Sequence, residues 1–197
     1  MFRAAGDRFH LIGHSFGGAV ALKAALAQRE RVLSLVLYEP ALFSVLMADA
    51  TERAAASEIL AVRDDTIRLM EKANLDASAQ RFVDYWAGDG TWAATPEPRR
   101  LVLAAAMRAV KSEWHAAFYD ETPLSVFAAV TVPTLLLTGA KSKASALAVA
   151  RSIAAVMPRV RAEEIEGVGH MAPVTHPETV NPIIERFLAE LRVDRPV

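Results

Sequence analysis

A serine set between glycines is the first place in this chain where residue type and spacing could do chemistry. Gly13-His14-Ser15-Phe16-Gly17-Gly18 matches G-x-S-x-G. An apolar run that reads as a strand ends just before it at Ile12, and an Ala/Leu-rich run that reads as a helix begins just after it at Phe16. A serine in so tight a strand-to-helix turn is held in a strained backbone conformation, and the flanking glycines let the neighbouring chain pass close. The turn lifts the Ser15 hydroxyl above the end of the sheet. It also aims the Phe16 amide at the point where an oxyanion would form, at a helix N-terminus whose dipole favours negative charge.

A serine hydroxyl needs a base. Of the five histidines, His170 lies in Glu166-Gly167-Val168-Gly169-His170-Met171-Ala172-Pro173, after the last strand-like run and before the last helix-like one. That loop belongs to the carboxyl end of the sheet, the end that carries Ser15. His14 sits inside the turn but points away from Ser15, as adjacent residues do. His10 falls in a strand, His115 in a helical stretch and His176 just before Pro177, and these read as packing or surface residues. The absence of cysteine excludes a thiol nucleophile or a thiolate metal site.

These residues need a scaffold, and the chain supplies an alternating one at both ends. Residues 8–12 and 32–38 are short apolar runs bounded by Gly or Pro, which read as buried parallel strands, with a crossover helix over 16–28 between them. Residues 133–139 and 160–165 repeat the strand signal around a helix over 144–156, and a last helix covers 177–191. The fold class is α/β with a mostly parallel sheet. Residues 41–125 hold no β run and are dense in Ala, Arg, Glu and Leu. Helices are expected over 51–73, 77–86 and 98–119, with turns at 87–90 and 95–98. The domain reading is a core of residues 1–40 and 126–197 with a helical cap inserted at 41–125, or else further packing helices of the core.

Composition narrows the function. The 197 residues carry 22 Lys+Arg against 23 Asp+Glu, a formal charge of −1, and 53% are apolar. That content excludes disorder and a fibrous class. No basic run exceeds Arg99-Arg100, so nucleic acid is not an expected partner. No apolar stretch reaches membrane-spanning length and the first residues lack the apolar segment of a signal peptide, which leaves the cytoplasm as the expected location.

The Ser15 turn, the Gly-x-Gly-His170 loop and the helical insert together resemble the α/β-hydrolase fold family, in its serine-nucleophile branch with a helical cap. The wording of Val132-Pro133-Thr134-Leu135-Leu136-Leu137-Thr138-Gly139 and His170-Met171-Ala172-Pro173 is also similar to it. The resemblance implies Ser15 as nucleophile, His170 as base and the Phe16 amide as oxyanion donor, with His14, Met171 and Trp114 as candidates to touch the substrate. Many relatives carry an Asp just after the Gly that ends the penultimate strand, yet Gly139-Ala140-Lys141-Ser142-Lys143 offers no carboxylate. Some members carry the acid at the end of the strand that follows the elbow helix, and Glu39 in Tyr38-Glu39-Pro40 stands there. Glu39 is therefore the expected acid, with Ser142 and Asp120 as weaker alternatives.

Relatives also place strands, two helices and a His-Gly loop with a second oxyanion amide ahead of the elbow strand. Here that strand begins near residue 8, so a partial fold is expected: a truncated chain whose elbow strand is exposed as an edge, open to homo-oligomer formation. Residues 2–6 read as the end of the preceding helix with Gly6 as its stop. The resemblance implies a serine hydrolase for a small ester, amide or related acyl substrate, with no cofactor and no metal. Serine in place of Asp in the elbow argues against dehalogenase and epoxide-hydrolase chemistry. The other readings are a non-catalytic or slow-turnover ligand-binding protein, with Trp86, Trp92, Trp114, Phe118 and Phe127 as pocket candidates, and an inactive remnant.

Overall fold

In a computed structural model, which describes residues 6–193, four strands pair in parallel and in chain order: β1 (Phe9–His14), β2 (Val32–Tyr38), β3 (Thr134–Gly139) and β4 (Val160–Ile165). The helix end expected at residues 2–5 lies outside the described residues. Parallel neighbours require crossovers. Helix α1 (Ser15–Ala27) makes the one between β1 and β2.

Because side chains alternate along a strand, β2 feeds two cores. Leu35 and Leu37 face α1, through Leu22 and Ala25, and the helix that links β3 to β4, through Val149 and Ile153. Val36 and Tyr38 face the opposite side, where Leu135 and Leu137 of β3 meet Val180 and Phe187 of the last helix. Burial on both faces is why β2 and β3 read as unbroken apolar runs. Each fully buried Leu contributes about 1.5–3 kcal/mol. β1 and β4 are the outer strands among the described residues, and Ile12 of β1 is 57% exposed.

The first strand extends further than its hydrophobicity suggests. Parallel pairing matches Gly13 with Leu37 and His14 with Tyr38, so β1 continues through His14 rather than stopping at Ile12. The helix then begins at Ser15 with no loop between.

Between β2 and β3 the described residues are helical and contain no strand. They form α2 (Ser44–Ala48), α3 (Arg53–Glu71), α4 (Leu75–Ala87), α5 (Thr91–Ala94), α6 (Glu97–Phe118) and a 3₁₀ turn at Leu124–Ala129. Helices α2 and α5 are too short to show a period, which is why sequence alone passes over them. Asn74 caps α4 by accepting from the Ala77 amide at 3.1 Å, and Pro98 near the start of α6 suits a first turn. An aromatic cluster joins this layer to the sheet end: Phe43, just after β2, lies 6.2 Å from Trp86, 6.0 Å from Trp114 and 5.3 Å from Phe118, ring centre to ring centre. After β3 come α7 (Ala144–Val156), β4, α8 (Ala172–Thr175) and α9 (Pro177–Val193). No helix among the described residues is long and apolar enough to cross a membrane.

Candidate active site

The parallel register brings the site together. His14 pairs with Tyr38 and Tyr38 with Leu137, so the residues that follow these strands, Ser15, Glu39 and the Gly139 turn, emerge side by side at the carboxyl edge. Ser15 and Glu39 both have left-handed backbone conformations, with φ of 54° and 44°. Such a conformation costs a residue with a side chain about 1–3 kcal/mol, so the surrounding packing must hold it.

Two glycines make the first turn fit. A Cβ on Gly13 would overlap the Gly17 carbonyl and lie 2.8 Å from the Gly18 Cα, and a Cβ on Gly18 would lie 3.0 Å from the Pro40 Cα. The backbone on either side of Ser15 is thus in contact with itself and with the chain leaving β2. Gly13→Ala is expected to destabilise the fold by about 3 kcal/mol, measurable in urea denaturation, because backbone rather than a flexible side chain must move.

A continuous hydrogen-bonded chain links the three strand ends to the last loop. His170 Nε2 lies 3.0 Å from Ser15 Oγ, and His170 Nδ1 lies 2.7 Å from Glu39 Oε2. With the neutral ring protonated on Nδ1, that nitrogen donates to Glu39 and Nε2 accepts from the Ser15 hydroxyl. Glu39 is 1% exposed and His170 3%. The other Glu39 oxygen, Oε1, accepts from the Gly139 amide at 2.8 Å and from the Ser142 hydroxyl. A buried carboxylate is tolerable only with such a full set of donors. Ser142 therefore holds Glu39 rather than His170. Asp120, the other alternative acid, is taken up by Lys23 and by the Thr122 amide, which donates at 2.8 Å.

His170 is held by its backbone as well. The Tyr38 hydroxyl donates to the Gly169 carbonyl at 2.8 Å, and His14 Nε2–H donates to the His170 carbonyl, also at 2.8 Å. Gly139 leaves room for the loop, since a Cβ there would fall 2.6 Å from the Val168 carbonyl. Burial, together with the charge on Glu39, raises the Tyr38 hydroxyl above its ordinary range, so it stays a donor. Burial first, and then neighbouring His170, lower His14 from 6.5 to about 4.

That lowering has a stability consequence. As pH falls below 6.5 the unfolded chain protonates His14 while the folded chain does not until about 4. The unfolded state then binds more protons, so this group's contribution is complete above 6.5 and is lost progressively as pH falls toward 4. The difference is worth about 3 kcal/mol. His14→Gln keeps a donor for the His170 carbonyl but cannot titrate. Its urea stability is expected to fall less than the parent's between these two pH values by roughly that amount.

A narrow cavity of about 30 Å³ opens on Ser15 and Phe16 and is walled by Phe43, Phe82, Trp86 and Trp114. Trp86 has a second contact: its ring lies 4.1 Å from that of His170, tilted by 35°. Trp114 donates its indole N–H to Thr66 Oγ1 at 3.0 Å, which fixes the ring in the wall. Met171 does not line the Ser15 cavity; with Lys141, Lys143 and His176 it lines a wider one of about 440 Å³ that also touches His170 and Trp86. His14 does not line the Ser15 cavity; it packs against the Tyr38 and His170 rings at 5.6 and 4.8 Å. Trp92, Phe118 and Phe127 are buried in the packing of the helical layer. Sequence reasoning passed over Glu113, which also lines the Ser15 cavity, and the contact of Trp86 with His170.

A model of the alpha/beta hydrolase family matches residues 2–183. No curated protein sequence matches the chain. Among solved structures, a hydrolase from Pseudomonas aeruginosa PA01 superposes with a TM-score of 0.70 at 21% identity, over 95% of this chain and 67% of that one. A hydrolase from Oleispira antarctica gives 0.68 at 19% identity, over 92% and 65%. MenH from S. aureus gives 0.64 at 20% identity, over 94% and 69%. The chain spans about two thirds of the length of these structures.

Proposed function

The chain belongs to the alpha/beta hydrolase family, and on that premise we propose that it acts as a serine hydrolase on small esters or amides through Ser15, His170 and Glu39. The observation that carries this reading is the unbroken run of hydrogen bonds from Ser15 Oγ through the His170 ring to Glu39, at 3.0 and 2.7 Å. Ser15 Oγ attacks the substrate carbonyl carbon as His170 Nε2 takes its proton. Glu39 keeps the other proton on Nδ1 and stabilises the imidazolium that forms. The Phe16 amide, in the first turn of α1 where backbone N–H groups lack helical partners, donates to the developing oxyanion.

Collapse of the tetrahedral species breaks the bond to the alcohol or amine, which leaves with the proton from His170. The acyl group is then carried on Ser15. Water attacks it, giving its proton to His170, and the acid is released as Ser15 regains its own. In this reading residues 41–125 form the cap, with α4 and α6 closing over the nucleophile, and residues 1–40 and 126–197 form the core. The reading is tested by acid-quenching the protein during turnover of 4-nitrophenyl acetate and measuring intact mass. An acetyl adduct on Ser15 supports it, and turnover without any adduct on Ser15 in rapid-quench samples contradicts it.

A further inference from the structure

One wall of the Ser15 cavity carries a charge where its helix pattern calls for an apolar residue. Val110, Glu113, Trp114 and Ala117 of α6 are spaced i, i+3, i+4 and i+7, which is a single helix face. All four line the cavity. Trp114 and Ala117 are buried, and Glu113 is the only carboxylate or base of the lining. Among the described residues no hydrogen bond or ion pair holds it, and burial alone pushes its carboxyl above the usual range. Its cationic neighbours on α6 are turned elsewhere: Arg108 and Lys111 face a separate cavity beside Leu75, where Lys111 lies 3.7 Å from Glu71.

Glu113 is half-buried, and a carboxylate partly withdrawn from water gains from a cation that pairs with it. Phe82, Trp86 and Trp114 line the same space, and an aromatic ring attracts a cation held over its face. The cavity measures about 30 Å³, and one water-sized group needs about 10–15 Å³. That space suits a primary ammonium on a short acyl group better than a quaternary ammonium or a long chain.

We propose that Glu113, with the rings of Phe82, Trp86 and Trp114, forms a subsite for a primary ammonium on the acyl part of the substrate. The substrate class is then short α-aminoacyl esters or amides. The inference rests on the reading of Ser15 as nucleophile, because it places the ammonium in the cavity that holds the acyl group.

Alanine ethyl ester and ethyl isobutyrate test it, since they differ by an ammonium in place of a methyl group. The parent is expected to favour the alanyl ester by about 10–100-fold in kcat/KM, the worth of a charged hydrogen bond. In Glu113→Gln that ratio falls to about one or inverts. A binding measurement separates the subsite from the chemistry. Alaninamide and isobutyramide are titrated against Ser15→Ala protein, with Trp86 and Trp114 fluorescence as the readout, and alaninamide is expected to bind more tightly until Glu113 is also replaced by Gln. A protein that binds alaninamide through Glu113 but turns over neither ester keeps the subsite and loses the hydrolase reading. One that hydrolyses both esters equally through Ser15, or whose preference survives Glu113→Gln, overturns the subsite and keeps that reading.

Discussion

Ser15→Ala is expected to lower kcat for a short ester by about 10⁶-fold, to the residual level that binding and oxyanion donation alone sustain. Ser15 makes one side-chain hydrogen bond, to His170, so its removal should change stability by less than about 1 kcal/mol. The two readouts together matter. A large loss of turnover with unchanged urea denaturation assigns the effect to the nucleophile, whereas turnover retained within tenfold would place the chemistry at another residue.

Glu39→Gln should cost about 10⁴-fold in kcat, and the reason lies in the donors around it. One oxygen of Glu39 accepts from the Gly139 amide and the Ser142 hydroxyl, and the other accepts from His170. In glutamine one of these positions becomes an NH₂ group. Turned toward Gly139 it would face a backbone N–H that cannot rotate away. Turned toward His170 it forces Nδ1 to accept, which moves the ring proton to Nε2 and leaves Ser15 facing a donor instead of a base. The second arrangement avoids the fixed clash, so the variant should fold with the wrong tautomer. Stability is expected to fall by about 1–2 kcal/mol, far less than activity in proportion. Nitrogen chemical shifts of the His170 ring would report the tautomer directly, and an unchanged kcat/KM would remove Glu39 from the mechanism.

How much of this is legible in the sequence depends on how local each feature is. The Ser15 turn is legible because glycine spacing and the switch from strand to helix pattern coincide within residues 13–18. The α/β class follows from the same alternation, and the strands over 32–38 and 160–165 match their observed bounds. The end of β1 is less local. Gly13 and His14 are strand only because β2 pairs with them, and nothing in their own composition says so.

The site divides along the same line. His170 and Glu39 could be named from loop position and resemblance, but the groups that hold them are distant in sequence. Gly139 and Ser142 lie 100 and 103 residues from Glu39, and His14 lies 156 residues from the carbonyl it binds. Adjacency does indicate that His14 points away from Ser15. It gives no sign that the ring then supports the His170 backbone from behind, because that contact exists only once the last loop packs on the sheet end. Trp86 on His170 is of the same kind, a contact between α4 and that loop. Glu113 differs, since its signal was local and readable: a charge on the i, i+3, i+4, i+7 face that holds Trp114.

The most direct test of the account is covalent. An activated serine Oγ attacks the phosphorus of a fluorophosphonate probe and displaces fluoride, and peptide mapping by mass spectrometry identifies which serine has reacted. The account predicts one adduct per chain, on Ser15, and its loss in His170→Ala. An unlabelled Ser15 in folded protein, or labelling that persists without His170, would contradict the claim that this hydrogen-bonded run is a working nucleophile.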